Sequence, residues 1–177
     1  WFEINKQQAI NSIRCNTLKI SPNELKEKLE SKGWKINQPF PAYPEIMIVT
    51  SDLLPGELGK AIEHLLGYYY IQEISSMMPI LALNPKPGDI ILDLCASPGS
   101  KTTQTAAKMQ NSGTIIANDK DIERIKILSA NLERAGVSNC IITRNDGVQL
   151  CLKLKKAGFS FDKILVDVPC SGEGTIR

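Results

Sequence analysis

From Gly88 onward, short apolar runs alternate with stretches of helical periodicity, and this alternation constrains the fold more than any other feature of the chain. Ile90-Ile91-Leu92-Asp93-Leu94, Thr114-Ile115-Ile116-Ala117, Cys140-Ile141-Ile142-Thr143 and Lys163-Ile164-Leu165-Val166-Asp167 read as four strands. Runs that are apolar at consecutive positions are buried on both faces, so they predict a parallel sheet covered by helices on each side. The covering helices are legible too. Lys101 to Met109 follows the first strand, and Asp121 can N-cap a helix in which Ile125, Leu128, Leu132 and Ala135 recur at helical spacing before Gly136 stops it. The expectation is an α/β, Rossmann-like domain over residues 76–177, cut off after its fourth strand.

Residues 1–75 follow a different pattern, that of a small α+β element. Ser21-Pro22-Asn23-Glu24 combines an N-cap serine, a proline at the first helical position and a glutamate three residues on, which is a capping box. Leu25 and Leu29 form the apolar face of that helix and Gly33 fits its end. Strands are expected over Ile13 to Leu18 and Ile46 to Val49, with the proline-rich run from Pro39 to Pro44 between the helix and the second strand. Ala61 to Leu66 reads as another helix; it holds His64, the only histidine, which receives no role.

In an open parallel sheet, ligands bind beyond the carboxyl ends of the strands. Asp119, Asp146 and Asp167 stand at or just after three of the four expected strand ends. Any one of them is as readily a helix cap or a solvated loop residue, but three in register point to a shared site. After the first strand, Cys95-Ala96-Ser97-Pro98-Gly99-Ser100 is built of small residues, which lets a ligand approach the backbone and the N–H groups of the next helix. An acid after the second strand suits a ribose diol, so a nucleoside cofactor follows, and S-adenosylmethionine and NAD both qualify. The loop argues against NAD. A dinucleotide fingerprint needs G-x-G-x-x-G for the pyrophosphate, whereas this loop has only Gly99, and Pro98 removes a donor.

Composition sets outer bounds. With 42% hydrophobic residues over 177 positions, the chain can fill a core. It has no apolar stretch near the roughly 18 residues of a membrane helix and no signal-peptide pattern, so a cytoplasmic location is expected, or a nuclear one in a eukaryote. The five cysteines include no C-x-x-C pair, and they read as free thiols rather than as disulfides or metal ligands. The net charge of +2 does not announce nucleic acid; 8 basic residues face 9 acidic ones in the first 75 positions, and 13 face 10 thereafter. Beginning at Trp1 and stopping at Arg177 directly after a motif, the chain reads as a piece of something longer.

Two segments carry a specific resemblance. Asp93-Leu94-Cys95-Ala96-Ser97-Pro98-Gly99-Ser100-Lys101-Thr102-Thr103-Gln104 resembles the S-adenosylmethionine motif of the Sun-type (Fmu-type) RNA cytosine-5 methyltransferases, and Asp167-Val168-Pro169-Cys170-Ser171-Gly172 resembles their Asp-Ala-Pro-Cys-Ser-Gly motif. Arg14-Cys15-Asn16-Thr17-Leu18 and the segment from Gly67 through Gln72-Glu73-Ile74-Ser75-Ser76-Met77 are also similar to family segments. Ser97, Ser100 and Val168 depart from the commoner alanine, glycine and alanine. The forms Gly-Ser-Lys-Thr-Thr-Gln and Asp-Val-Pro-Cys look most similar to the tRNA-modifying branch, with ribosomal RNA as the alternative substrate.

The resemblance implies a methyltransferase acting on RNA, with S-adenosylmethionine as cofactor and no metal. It places Cys95, Ala96, Ser97, Pro98, Gly99, Ser100 and Lys101 around the methionine end of the cofactor, Asp119 on the ribose, Asp146 facing the adenine, and Arg124 near the cofactor. Residues 1–75 then help to hold RNA, and Tyr68-Tyr69-Tyr70 either stack on bases or pack the junction between the two units.

Cytosine carbon 5 is a poor nucleophile, so a thiolate must first add at carbon 6; after methyl transfer a base removes the carbon 5 proton and the thiolate leaves. Asp167 would offset charge developing on the ring, and Lys101 would orient Asp167 or the base. In the family the attacking cysteine belongs to a later Thr-Cys motif, and the cysteine corresponding to Cys170 assists product release. No Thr-Cys occurs in this chain, so the chain alone is expected to be inactive, and a non-catalytic cofactor- or RNA-binding module is the alternative.

Overall fold

The computed structural model describes residues 11–168. The chain first forms β1 (Asn11–Cys15), α1 (Pro22–Glu30), β2 (Ile36–Asn37), β3 (Ile46–Val49), α2 (Glu57–Lys60), α3 (Ile62–Leu65) and β4 (Tyr69–Ile71). These strands make an antiparallel sheet in the order β2-β3-β1-β4. The capping box opens α1 as expected: Glu24 N donates to Ser21 Oγ (3.3 Å) and Ser21 N donates to Glu24 Oε2 (3.1 Å), satisfying two helix-start donors reciprocally. Leu25 and Leu29 of α1 are fully buried against Ile13, Met47, Trp34 and Tyr69, so the helix closes one face of the sheet.

The chain continues through α4 (Ile74–Leu83), β5 (Ile90–Asp93), α5 (Ser100–Lys108), β6 (Thr114–Asp119), α6 (Ile122–Ala135), β7 (Cys140–Arg144), α7 (Gly147–Lys156) and β8 (Lys163–Leu165). The second sheet is parallel throughout, in the order β7-β6-β5-β8, as the alternating pattern predicts. Ile91 and Ile115 pack on Ala106 of α5 and on Met109 at its C-terminal end, whereas their neighbours Leu92 and Ile116 pack on Leu150 of α7. Alternate side chains of β5 and β6 therefore serve opposite layers, which explains their unbroken apolar runs, whereas in the edge strands β7 and β8 Ile141 and Ile164 are exposed and those runs are buried on one face only. Asp121 caps α6 by accepting from Glu123 N and Arg124 N, and Gly136 ends it with φ of +73°. Among the described residues no helix is long and apolar enough to cross a membrane.

The structure departs from the sequence reading at several boundaries. β1 stops at Cys15 rather than continuing to Leu18, because Asn16 turns the chain: its Nδ2 donates to Gly67 O and Ala135 O, both at 2.8 Å. The fourth parallel strand ends at Leu165, which leaves Val166 and Asp167 beyond the ladder. The short strands β2 and β4 carry too few residues to show a period, and Pro79 inside α4 disguises that helix. The apparent helix from Ala61 to Leu66 is the single turn α3.

Tyr69 and Tyr70 pack rather than offer faces to bases. Tyr69 is buried in the core and donates from its hydroxyl to Leu58 O (2.6 Å), and the Tyr70 ring lies beneath the guanidinium groups of both Arg14 (5.5 Å) and Arg134 (5.6 Å). Those arginines belong to different sheets' surroundings, so Tyr70 marks a junction. Lys19 Nζ crosses the same junction to donate to Arg134 O (2.7 Å), and Lys108 pairs with Glu45 at 2.6 Å.

Candidate cofactor and active site

The site is assembled where β5 ends. Asp93 closes that strand opposite Ala117 of β6 and Leu165 of β8, so the chain leaves the sheet there, beside the end of β6. The loop that follows is held by backbone pairing: Ala96 N donates to Asn118 O and Gly99 N to Ala96 O, each at 2.8 Å. Gly99 has φ of +102°, and a Cβ there would come within 3.0 Å of Leu128 Cδ1, so the tight entry into α5 requires glycine. No side chain caps α5, which leaves its positive end to the loop and to whatever binds against it.

Around this loop lies a cavity of about 240 Å³, lined by Ser76, Asp93, Cys95, Ala96, Ser97, Pro98, Ser100, Lys101 and Asp167. Lys101 Nζ donates to Asp167 Oδ2 at 2.6 Å and to Ser76 Oγ at 3.2 Å. The lysine side chain is only 14% exposed while the aspartate is 56% exposed, so a sequestered ammonium steadies a carboxylate that faces outward. A first-turn lysine that was simply solvated would show neither contact.

Asp93 is the residue that sequence reasoning passed over. It is 3% exposed and accepts from Thr102 Oγ1 at 2.7 Å. Burial pushes its carboxyl up to about 6, partly offset by the Thr102 hydrogen bond and by Lys101, while Asp167 adds to the rise. Its signal was available: a carboxylate inside a run buried on both faces is anomalous unless paired or functional. Burial, followed by the nearby Asp119 and Asp93, also raises the Cys95 thiol.

Asp119 and Arg124 reach the loop from behind. Ser97 N donates to Asp119 Oδ2 (3.3 Å), Arg124 Nη2 donates to Ser97 O (2.7 Å), and Ser97 Oγ donates to Arg124 O (2.6 Å). Arg124 Nε lies 3.3 Å from Asp119 Oδ2 as an ion pair without hydrogen-bond geometry. Arg124 thus braces the loop and its acid and is not a free surface arginine. Asp146 stands apart from the cavity lining. It caps α7, accepting from Val148 N (3.1 Å) and Gln149 N (3.3 Å), and lies 3.8 Å from Lys120.

Asn118 is a second residue the sequence did not single out. Its Nδ2 donates to Leu94 O and Asn145 O, and its Oδ1 accepts from Thr143 Oγ1 and Asn145 N, tying together the exits of β5, β6 and β7. Cys170, with its neighbour Pro169, lies outside the described residues.

The family described as 16S rRNA methyltransferase RsmB/F matches this chain over residues 80–177. Ribosomal RNA small subunit methyltransferase F of Vibrio campbellii is 46% identical over 168 residues, covering 94% of this chain and 34% of its own length. The same-named protein of Photobacterium profundum is 47% identical over 169 residues, covering 94% of this chain and 35% of its own. The chain therefore spans about a third of these curated relatives. Among solved structures, a methyltransferase homolog protein from Pyrococcus horikoshii superposes with TM-score 0.86 at 38% identity, over 98% of this chain and 55% of the other. NSun6 from the same organism, solved with SFG, superposes with TM-score 0.80 at 25% identity, over 96% of this chain and 65% of the other.

Proposed function

The chain belongs to the 16S rRNA methyltransferase RsmB/F family, and on that premise we propose that it forms the cofactor-binding part of an enzyme that methylates carbon 5 of cytosine in RNA, with S-adenosylmethionine as donor. The observation that carries this reading is the Lys101–Asp167 pair at 2.6 Å, set across one cavity from a loop of small residues. That loop fits the cofactor: Cys95, Ala96, Ser97 and Pro98 line the cavity with small side chains, and the uncapped start of α5 suits the carboxylate of the methionine part. S-adenosylmethionine supplies the methyl group when bound.

The remaining chemistry falls to the chain's own side chains. Lys101 occupies Oδ2 of Asp167 and leaves Oδ1 for the base, so the carboxylate is oriented before substrate arrives and needs no reorganisation during reaction. Ser97 and Pro98 would shape the floor against the methionine part while Gly99 sets the turn behind them, Asp119 would take the ribose, and Arg124 keeps that acid in place. Asp146 at the rim of β7 faces the adenine while capping α7. Cys170 assists product release, and the attacking thiol is supplied by a segment other than this chain. Residues 1–75 position the RNA and residues 76–177 carry the transfer chemistry.

Small-subunit ribosomal RNA is the substrate we favour, because relatives at 45–47% identity bear that name. The form of the motifs supports tRNA as a second reading. Bisulfite sequencing of both RNA classes from cells lacking the gene separates the two. Loss of one cytosine mark in small-subunit RNA is expected, loss confined to a tRNA would replace the favoured substrate, and no loss in either class would sink the reading.

A further inference from the structure

Arg14 sits in β1 of the antiparallel sheet, yet its guanidinium is spent on the other half of the molecule. It is 3% exposed, and among the described residues it forms no ion pair; the nearby Glu45, itself paired with Lys108, acts on it only through space. Nη1 donates to Ser100 O (2.7 Å) and to Gln72 Oε1, Nη2 donates to Thr103 Oγ1 (2.7 Å), and Nε has no partner. Burial lowers its pKa to about 10, so it remains charged at neutral pH. Holding a buried guanidinium on neutral oxygens and one aromatic face is costly, and apolar packing of similar volume would serve stability as well. The arrangement needs a reason beyond cohesion.

Its partners supply one. Ser100 is the first residue of α5 and the immediate neighbour of Lys101, so the bond to its carbonyl pins the backbone turn from which Lys101 projects. A second route runs through Gln72. That side chain accepts from Arg14 and donates to Ser76 O (3.1 Å) and Ser76 Oγ (3.4 Å), and Ser76 Oγ in turn accepts from Lys101 Nζ at 3.2 Å. Arg14 thus bears on Lys101 both through the main chain and through Gln72 and Ser76. We propose that Arg14 is a positioning residue, by which the antiparallel unit fixes the first turn of α5 and with it the Lys101–Asp167 pair and the adjoining loop.

This inference rests on the cofactor reading of the cavity, and the experiment is chosen to separate the two. S-adenosylhomocysteine binding is measured by calorimetry on the intact protein and on its Arg14→Lys, Arg14→Ala and Lys108→Met variants, with thermal unfolding of each. Lys108→Met removes the Glu45 ion pair at the other end of α5, in the same junction, and so loosens the docking without touching Ser100 or Gln72. The expected result is that Arg14→Lys, which keeps the charge but loses the planar fork, weakens binding about tenfold, whereas Lys108→Met stays within about twofold at a comparable loss of Tm. Millimolar guanidinium should restore part of the affinity of Arg14→Ala, where equal sodium chloride does not. If the parent protein binds no S-adenosylhomocysteine, the cofactor reading fails. If the parent binds and the Arg14 and Lys108 variants weaken binding equally, or guanidinium restores nothing, the positioning role is overturned.

Discussion

The antiparallel sheet gathers its large side chains into one core around Ile13, Leu25, Leu29, Met47 and Tyr69, whereas the parallel sheet divides its interior among several small clusters. The difference follows from layering: one helix on one face makes one core, while helices on both faces split it. The two sheets differ more sharply in their buried polar groups. In the parallel sheet Asp93, Thr102, Asn118 and Asp119 are buried at the strand exits and bond to one another's loops. In the antiparallel sheet Arg14, Asn16 and Glu45 are buried too, but each bonds across the junction. One sheet uses buried polarity to build a site and the other uses it to dock. A polar junction fixes one relative placement, since a shifted register would strand its donors in an apolar interior.

Breaking the docking should give the largest effect. Gly67 has φ of +74°, and a Cβ on it would fall 1.9 Å from Arg134 O, a backbone atom that cannot swing aside. Gly67→Ala must therefore strain the turn and part the two units together, and a loss of more than roughly 3 kcal/mol is expected by urea denaturation. Gly33→Ala is the control. Its φ of +87° is equally left-handed, but nothing lies within 4 Å of the added atom, so only the backbone strain of about 1 kcal/mol should appear. Equal losses for the two would mean that Gly67 marks a local turn and not a tight junction.

The polar site within the parallel sheet should be sharpened by a smaller and oppositely signed change. Burial holds the Asp93 carboxyl at about 6 against an ordinary value of 3.8, so the folded state takes up this proton more readily than the unfolded chain. Its contribution to stability is then fully present below about pH 4, falls as the pH rises toward 6, and stays lost above that. Asp93→Asn keeps an acceptor for Thr102 without the charge. The variant is expected to be more stable than its parent above pH 6 by roughly 2–3 kcal/mol, and to lack the parent's decline between pH 4 and 6. Parallel stability profiles for the two proteins would show that Asp93 is not the group responsible. The acids buried in the antiparallel sheet offer no such gain, because Glu45 and Glu63 are matched by Lys108 and Lys32.

What the sequence disclosed divides along the same line. Consecutive apolar residues, the Ser21 and Asp121 caps and the small-residue loop all act within a few positions, and the structure places each of them where local chemistry does. Arg14, Gln72 and Asn118 act over much greater separations: Arg14 meets Ser100, and Asn118 meets Leu94 and Asn145, only because the sheets bring them together. No local pattern encodes such convergence. Asp93 lies between these cases, since its burial was implied by its neighbours while its partner Thr102 depended on the fold of the loop.

The smallest expected effects test whether the rim acids belong to the site or only to the helices. Asp121 and Asp146 are the same device in the structure, each an N-cap accepting two backbone N–H bonds at the start of a helix after a parallel strand. Replacing either by alanine should lower the unfolding temperature modestly and to a similar extent. The hydrogen bonds to the backbone account for that loss, and Asp121 has no place among the proposed cofactor contacts. Asp146 also has a second oxygen, near Lys120 at 3.8 Å, in the position proposed to face adenine. Calorimetry with S-adenosylhomocysteine should therefore separate variants that unfold alike: Asp121→Ala is expected to bind as the parent does, and Asp146→Ala about tenfold more weakly. Unchanged affinity in both would reduce Asp146 to a cap, and would confine the cofactor contacts to the loop, Asp119 and Arg124.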